Sequence, residues 1–180
     1  MAEKRLEGKK VLMVIAPENF RDEELNHPKE ILEREGASVT IASSTLGECR
    51  GMLGARARPG LLIKDARSDD YDAVVVVGGA GSPTYLWPDS NLHQLLKEAK
   101  EKGKVIGGIC LSGAALARAG VLKGVEATVF ATPESLKEME KGEARYIRRP
   151  VVASGKIVTA EGPASARDFG RAIADKLSGD

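Results

Sequence analysis

The chain has 180 residues, a length suited to one domain. Its 27 basic and 26 acidic residues leave a net charge of +1, which argues against a surface built for nucleic acid. A hydrophobic fraction of 42% is enough for one sizeable core and too high for a disordered chain. Two cysteines and two histidines exclude a disulfide-dense scaffold and a four-cysteine zinc centre and make a histidine-rich metal site improbable, so neither metal nor cofactor is expected. The longest strongly apolar run, residues 73–77, falls far short of the roughly 20 residues a membrane span needs. Residues 1–10 carry charge with no long apolar stretch behind them, unlike a secretory signal. The expectation is one domain over residues 1–180, cytoplasmic, with reduced thiols.

In chain order, residues 11–16 form an apolar run that predicts a buried strand. Residues 21–35 follow as a helix, with Leu25, Pro28, Ile31 and Leu32 on about one face and Gly36 as its C-terminal cap. Residues 38–42 read as a second strand, and residues 43–64 as loop with short strands. Residues 73–77 are the clearest central strand, since consecutive valines suit a parallel sheet buried on both faces. Residues 78–88 read as a Gly/Pro-rich turn. Leu92, Leu95, Leu96 and Ala99 mark a helix stopped at Gly103. Residues 104–109 predict another buried strand, running straight into a helix over 111–119.

Further on, residues 127–130 are strand-like and 133–141 helix-like, with proline in the first turn. Residues 151–153 and 156–159 flank Ser154-Gly155, a two-residue hairpin signal. Ala166, Phe169, Gly170, Ile173, Ala174 and Leu177 form a helical stripe. Strand and helix alternate through most of the chain, so the fold class is α/β, with a mostly parallel sheet covered on both faces. In such sheets ligands bind beyond the carboxyl ends of the strands, which directs attention to residues 17–24, 78–88, 110–113 and 161–165.

The most informative stretch is Gly107-Gly108-Ile109-Cys110-Leu111-Ser112-Gly113. It places a cysteine between a buried strand and a helix. A sharp turn there exposes the sulfur at the sheet edge, in the manner of a hydrolase nucleophile elbow with Cys in place of Ser. A helix starting at Leu111 aims backbone N–H groups and its dipole at the sulfur, favouring the thiolate. The Leu111 N–H is also placed to hold an oxyanion. The competing reading is a buried, inert thiol, because free cysteine is among the most buried residue types.

Gly78-Gly79 follows the valine strand, and Gly79 is either a second oxyanion donor or part of an ordinary tight turn. The run Gly78-Gly79-Ala80-Gly81 does not meet the dinucleotide fingerprint. Asp22, Glu23 and Glu24 open the first helix, where acidic residues suit the dipole. They also lie at the predicted active edge, where a carboxyl beside a thiolate has its pKa raised and can move a proton. Spacing alone does not fix which of the three faces inward. His27 and His93 are remote from Cys110 in sequence, and Cys49 reads as incidental.

These residues together resemble the ThiJ/PfpI superfamily over nearly the whole chain. The resemblance rests on Phe20 to Pro28 after the first strand, on Tyr71 to Gly79, on Ile109-Cys110 followed by Ala119 to Gly124, and on the closing run Thr159 to Ser165. It implies a flavodoxin-like three-layer sandwich and a homodimer. It assigns the nucleophile to Cys110, the conserved acid to Glu24 by counting back from Pro28, and the oxyanion amides to Gly79 and Leu111.

Three positions depart from the family pattern. Leu111 stands where protease-like members have His, and Thr84 follows Pro83 where they have Glu. Thr132 precedes Pro133 where deglycase-like members have His. His93, Tyr85 and Thr132 are therefore the candidates for the rest of the pocket. The resemblance implies a cysteine-dependent enzyme acting on small α-oxoaldehydes or their adducts in stress protection. The alternatives are a cysteine redox sensor or stress chaperone without turnover and, third, a cysteine peptidase, which the missing histidine disfavours.

Overall fold

The computed structural model describes residues 4–179. The first three residues of the segment weighed as a secretory signal, and Asp180, lie outside the described residues. In chain order the first half runs β1 (Lys10–Val14), β2 (Glu18–Phe20), α1 (Asp22–Arg34), β3 (Ser38–Ser43), β4 (Cys49–Gly51), β5 (Arg56–Ala57), β6 (Leu61–Leu62) and β7 (Ala73–Val76). The second half runs α2 (Ser82–Tyr85), α3 (Ser90–Glu101), β8 (Val105–Ile109), a 3-10 turn (Cys110–Ser112), α4 (Gly113–Arg118), β9 (Glu126–Ala127), α5 (Pro133–Lys141), β10 (Arg145–Tyr146), β11 (Val151–Ser154), β12 (Ile157–Ala160) and α6 (Ala166–Ser178).

Seven strands form the central sheet in the order β11-β12-β8-β7-β1-β3-β6, parallel except for β11. Its five principal parallel strands, taken in chain order, stand in the order 2-1-3-4-5, the flavodoxin-like arrangement. The order of strand addition reverses between β1 and β7, the switch point at which such sheets open a crevice at the carboxyl edge.

Both faces of the sheet are buried, and strand periodicity divides the core in two. Val11, Met13, Ala73 and Val75 pack with Phe169 and Ile173 of α6 and Leu25 and Leu32 of α1. Leu12, Val14, Val74 and Val76 pack with Leu92, Leu95 and Leu96 of α3 and Leu116 of α4. Close packing requires glycine at two points in β8. A Cβ on Gly107 would sit 3.0 Å from Phe169 and Ile173, and one on Gly108 would sit 2.9 Å from Leu116. Helices α1 and α6 meet where Gly170 faces Pro28, whose Cα would lie 2.9 Å from a Cβ at position 170.

Several local expectations are corrected. The turn over 78–88 contains the short helix α2. The helix after Cys110 starts at Gly113 and spans six residues, with the 3-10 turn in between. The strand over 127–130 shrinks to β9, because its partner β10 supplies only two pairing residues. The hairpin turn falls on Gly155-Lys156, since Ser154 pairs with Ile157. This puts glycine first in the turn with φ 58°, the conformation that turn position demands. The strand β2 had no clear pattern, and it pairs with β4 in a separate three-stranded sheet with β5. No helix among the described residues is long and apolar enough to cross a membrane.

Candidate active site

Three loops converge at the carboxyl edge: the α1 entry after β1, the Gly78-Gly79 loop after β7, and the elbow after β8. Cys110 carries the elbow with φ 62°, a left-handed conformation a non-glycine residue adopts only under constraint. The constraints are hydrogen bonds on both sides. Ser112 Oγ donates to the Val77 carbonyl at 2.6 Å and lies 2.8 Å from Ser82 Oγ. Trp87 Nε1 donates to the Leu111 carbonyl at 2.8 Å, and Phe130 N to the Cys110 carbonyl at 3.1 Å. The N–H groups of Gly79 and Leu111 both bear on the Cys110 sulfur.

Helix geometry separates the three acids that open α1, since successive residues point about 100° apart. Asp22 turns to the β4–β5 hairpin, where it accepts hydrogen bonds from Leu53 N at 3.0 Å and Ala55 N at 2.8 Å. Glu23 pairs with Arg21 at 2.7 Å. Glu24 points inward and is fully buried. Pro28 cannot donate to the Glu24 carbonyl, so the helical hydrogen bond at that carbonyl is missing. Gly78 is what lets Glu24 and Cys110 approach. A Cβ there would lie 2.6 Å from Glu24 Oε1, 2.6 Å from Cys110 Cβ and 2.5 Å from the Ile109 carbonyl oxygen.

Neither carboxyl oxygen of Glu24 has a hydrogen-bond partner among the described residues. Burial pushes its pKa up to about 8, against the lowering influence of the Cys110 side chain, the Arg21 charge and the Gly78 N–H. Burial, and then the negative charge of Glu24, push Cys110 up to about 12. The amides of Gly79 and Leu111 act in the opposite direction, as the elbow reading expects, but burial outweighs them. The two groups titrate as a pair, and the first proton lost leaves the negative charge chiefly on the Glu24 carboxylate beside a protonated thiol.

The cleft over Cys110 has a volume of about 160 Å³ and a largely apolar wall that includes Arg21, Met52, Gly79, Leu111, Phe130 and Pro163. Met52 is held over it by an amide contact, Ala80 N to Sδ at 3.3 Å. The structure thus brings together Cys110, Glu24, Gly79 and Leu111. It does not bring in the other three candidates. His93 lies in the first turn of α3, capped by Asp89, with Nε2 2.7 Å from the Trp87 carbonyl. Tyr85 ends α2 and is exposed. Thr132 caps α5, where its side chain accepts from Ser135 N at 3.0 Å.

Cys49 is buried in β4, with Sγ 3.7 Å from the Gly47 carbonyl. Among the described residues no histidine, cysteine, aspartate and glutamate side chains cluster as a metal site. The cleft residues that the sequence did not single out are Met52 and Phe130. Met52 arrives through β2–β4 pairing and Phe130 through its amide to the elbow, and neither contact leaves a local signature.

Fold and elbow place the chain among flavodoxin-like α/β proteins that present a cysteine at the carboxyl edge of the sheet. Residues 9–176 match the model of the DJ-1/PfpI family, and the chain belongs to that family. An uncharacterised protein of Methanocaldococcus jannaschii is 49% identical over 165 residues, covering 92% of this chain and 80% of that protein. The glutathione-independent glyoxalase DJR-1.2 of Caenorhabditis elegans is 27% identical over 171 residues, covering 95% and 90%. A deglycase of Thermococcus kodakarensis is 28% identical over 152 residues, covering 84% and 90%. Among solved structures, the ThiJ/PfpI domain protein of Brachyspira murdochii superposes with a TM-score of 0.89 at 34% identity, covering 96% of this chain and 99% of that one.

Proposed function

We propose that the protein converts small α-oxoaldehydes, or their adducts, into 2-hydroxy acids, with Cys110 as nucleophile and Glu24 as proton relay. The observation that carries this reading is the buried, unpartnered carboxyl of Glu24 beside a thiol held on a strained elbow. Burying a carboxyl without a hydrogen bond costs stability, and such placements concentrate where a proton must be moved. The glyoxalase and deglycase relatives support the same reaction class.

In the singly ionised pair the thiol proton passes to Glu24, and the thiolate adds to the aldehyde carbon, C1. The N–H groups of Gly79 and Leu111 face the developing oxyanion. Glu24 gives its proton to that oxygen, completing a hemithioacetal. The carboxylate then takes the C1 hydrogen as a proton, leaving an enediolate with its negative charge on O2, and returns that proton to C2. The O1 proton moves to O2, and the result is a thioester of the 2-hydroxy acid. Water adds to the thioester carbonyl, the S–C bond breaks, and the thiol is regenerated. The sum is oxoaldehyde plus water giving hydroxy acid, with no oxidant or cofactor consumed.

The test is proton NMR of methylglyoxal incubated with wild-type protein and with Cys110→Ala. Lactate from the wild type alone supports the proposal. Equal lactate from both overturns it. No lactate from either, with Cys110 gaining two oxygens under mild peroxide, supports the sensor reading instead.

A further inference from the structure

Phe130 and Pro163 line both the Cys110 cleft and a second, neighbouring hollow of about 350 Å³, more than twice the volume of the cleft. The cleft is nearly all apolar, and the hollow is not. Arg148 and Glu161 line it, together with Tyr146 and Ser165. The elements that supply them are the segment between β10 and β11 and the turn between β12 and α6. Arg148 and Glu161 therefore come from separate segments of chain and meet only around this space.

Neither side chain has a hydrogen bond or an ion pair among the described residues; Arg148 is exposed and Glu161 half-buried. The Glu161 backbone is anchored, with its N–H donating to the Pro150 carbonyl at 3.0 Å, so its carboxylate stands on a fixed support. An unpaired cation and an unpaired anion on the walls of one hollow leave room between them for a molecule carrying both opposite charges. An ammonium would meet Glu161, and a carboxylate would meet the planar guanidinium of Arg148. The small apolar cleft would then take only the reacting carbonyl end.

We propose that this hollow is a recognition subsite for a zwitterionic head, and that the preferred substrates are carbonyl compounds whose far end is an α-amino acid group. The inference rests on the reading of Cys110 as the reacting group, and it narrows the substrate class of that site. Arg148 and Glu161 are its specificity-determining residues, while Cys110 and Glu24 act on the carbonyl end.

The test is a binding measurement that needs no turnover. Three unreactive thioethers carry the same 2-hydroxypropyl group on sulfur, an alcohol in place of the reacting carbonyl: those of L-cysteine, of cysteamine and of 3-mercaptopropionate. The first has both charges, the second only the ammonium and the third only the carboxylate. Titration calorimetry on the wild-type protein should find the cysteine compound the tightest, by about fivefold over each of the others. Arg148→Gln should erase its advantage over the cysteamine compound, and Glu161→Gln its advantage over the mercaptopropionate compound. Methylglyoxal turnover should be unchanged in both variants. Equal binding of all three compounds to the wild type, or an equal loss for all three in either variant, would overturn the subsite. Absent methylglyoxal turnover with the binding pattern intact would instead count against the reaction proposed for Cys110 and leave the subsite standing.

Discussion

Replacing Glu24 by Gln removes a buried ionisable group while keeping its shape, and the consequence for stability can be worked out from its pKa. Burial raises that pKa from 4.5 to about 8. The folded chain therefore keeps a proton that the unfolded chain has already released. The contribution of this group to stability is complete below 4.5 and falls as pH rises towards about 8. Each pH unit inside that window is worth about 1.4 kcal/mol. Between about pH 5 and about pH 7.5 the loss integrates to about 3 kcal/mol, a large fraction of a typical domain's stability. Cys110 adds nothing in this range, because below 9.0 its thiol is protonated in both states. Urea unfolding of wild-type protein and Glu24→Gln at the two pH values gives the answer. The wild type should lose about 3 kcal/mol more than the variant across the interval. Parallel pH dependences would refute the view that an unpaired carboxyl is buried beside Cys110.

Further outcomes follow from the same geometry. Because the pair must lose one proton to act, kcat/KM for methylglyoxal should rise about tenfold per pH unit and level off near the Glu24 value of about 8; a flat profile across that region would contradict the shared-proton account. Gly78→Ala drives a Cβ against the Ile109 carbonyl oxygen at 2.5 Å, so overpacking should cost about 1–3 kcal/mol and abolish turnover. Gly60→Ala, with open space around it, should be tolerated in the same unfolding and lactate assays. Asp22→Ala strips the acceptor from two amides of the β4–β5 hairpin, a loss of about 1–3 kcal/mol. It should also raise KM more than it lowers kcat, because Met52 covers the cleft from that hairpin.

The central architecture was legible because it is written locally. Unbroken apolar runs in β1 and β7, the glycines of β8 and the stripe of α6 each declare their packing within a few residues. Cys110 was legible for the same reason, since it stands where a buried strand meets a helical turn and has glycines on either side. The choice among Asp22, Glu23 and Glu24 was not, because all three are acids and only the helix rotation decides. The structure gives each a separate setting: Asp22 meets two hairpin amides, Glu23 pairs with Arg21, and Glu24 is buried unpartnered beside Cys110.

His93 stands outside the cleft because the Asp89 cap winds α3 so that the ring returns to the Trp87 carbonyl. Met52 and Phe130 were invisible because their positions depend on pairings between distant segments. The displaced hairpin turn shows the same limit on a small scale. Ser154-Gly155 and Gly155-Lys156 are both plausible turns, and the match of Ser154 to Ile157 selects the second.

The claim that Cys110 and Glu24 act as one unit is tested most directly by lactate formation from methylglyoxal in Cys110→Ala, Glu24→Gln and the double variant. Each single change should lower the rate by at least about a thousandfold, and the double variant should be no slower than the singles, as expected for groups that serve one step. Losses that multiply in the double variant, or a Cys110→Ala protein that keeps the wild-type rate, would contradict it.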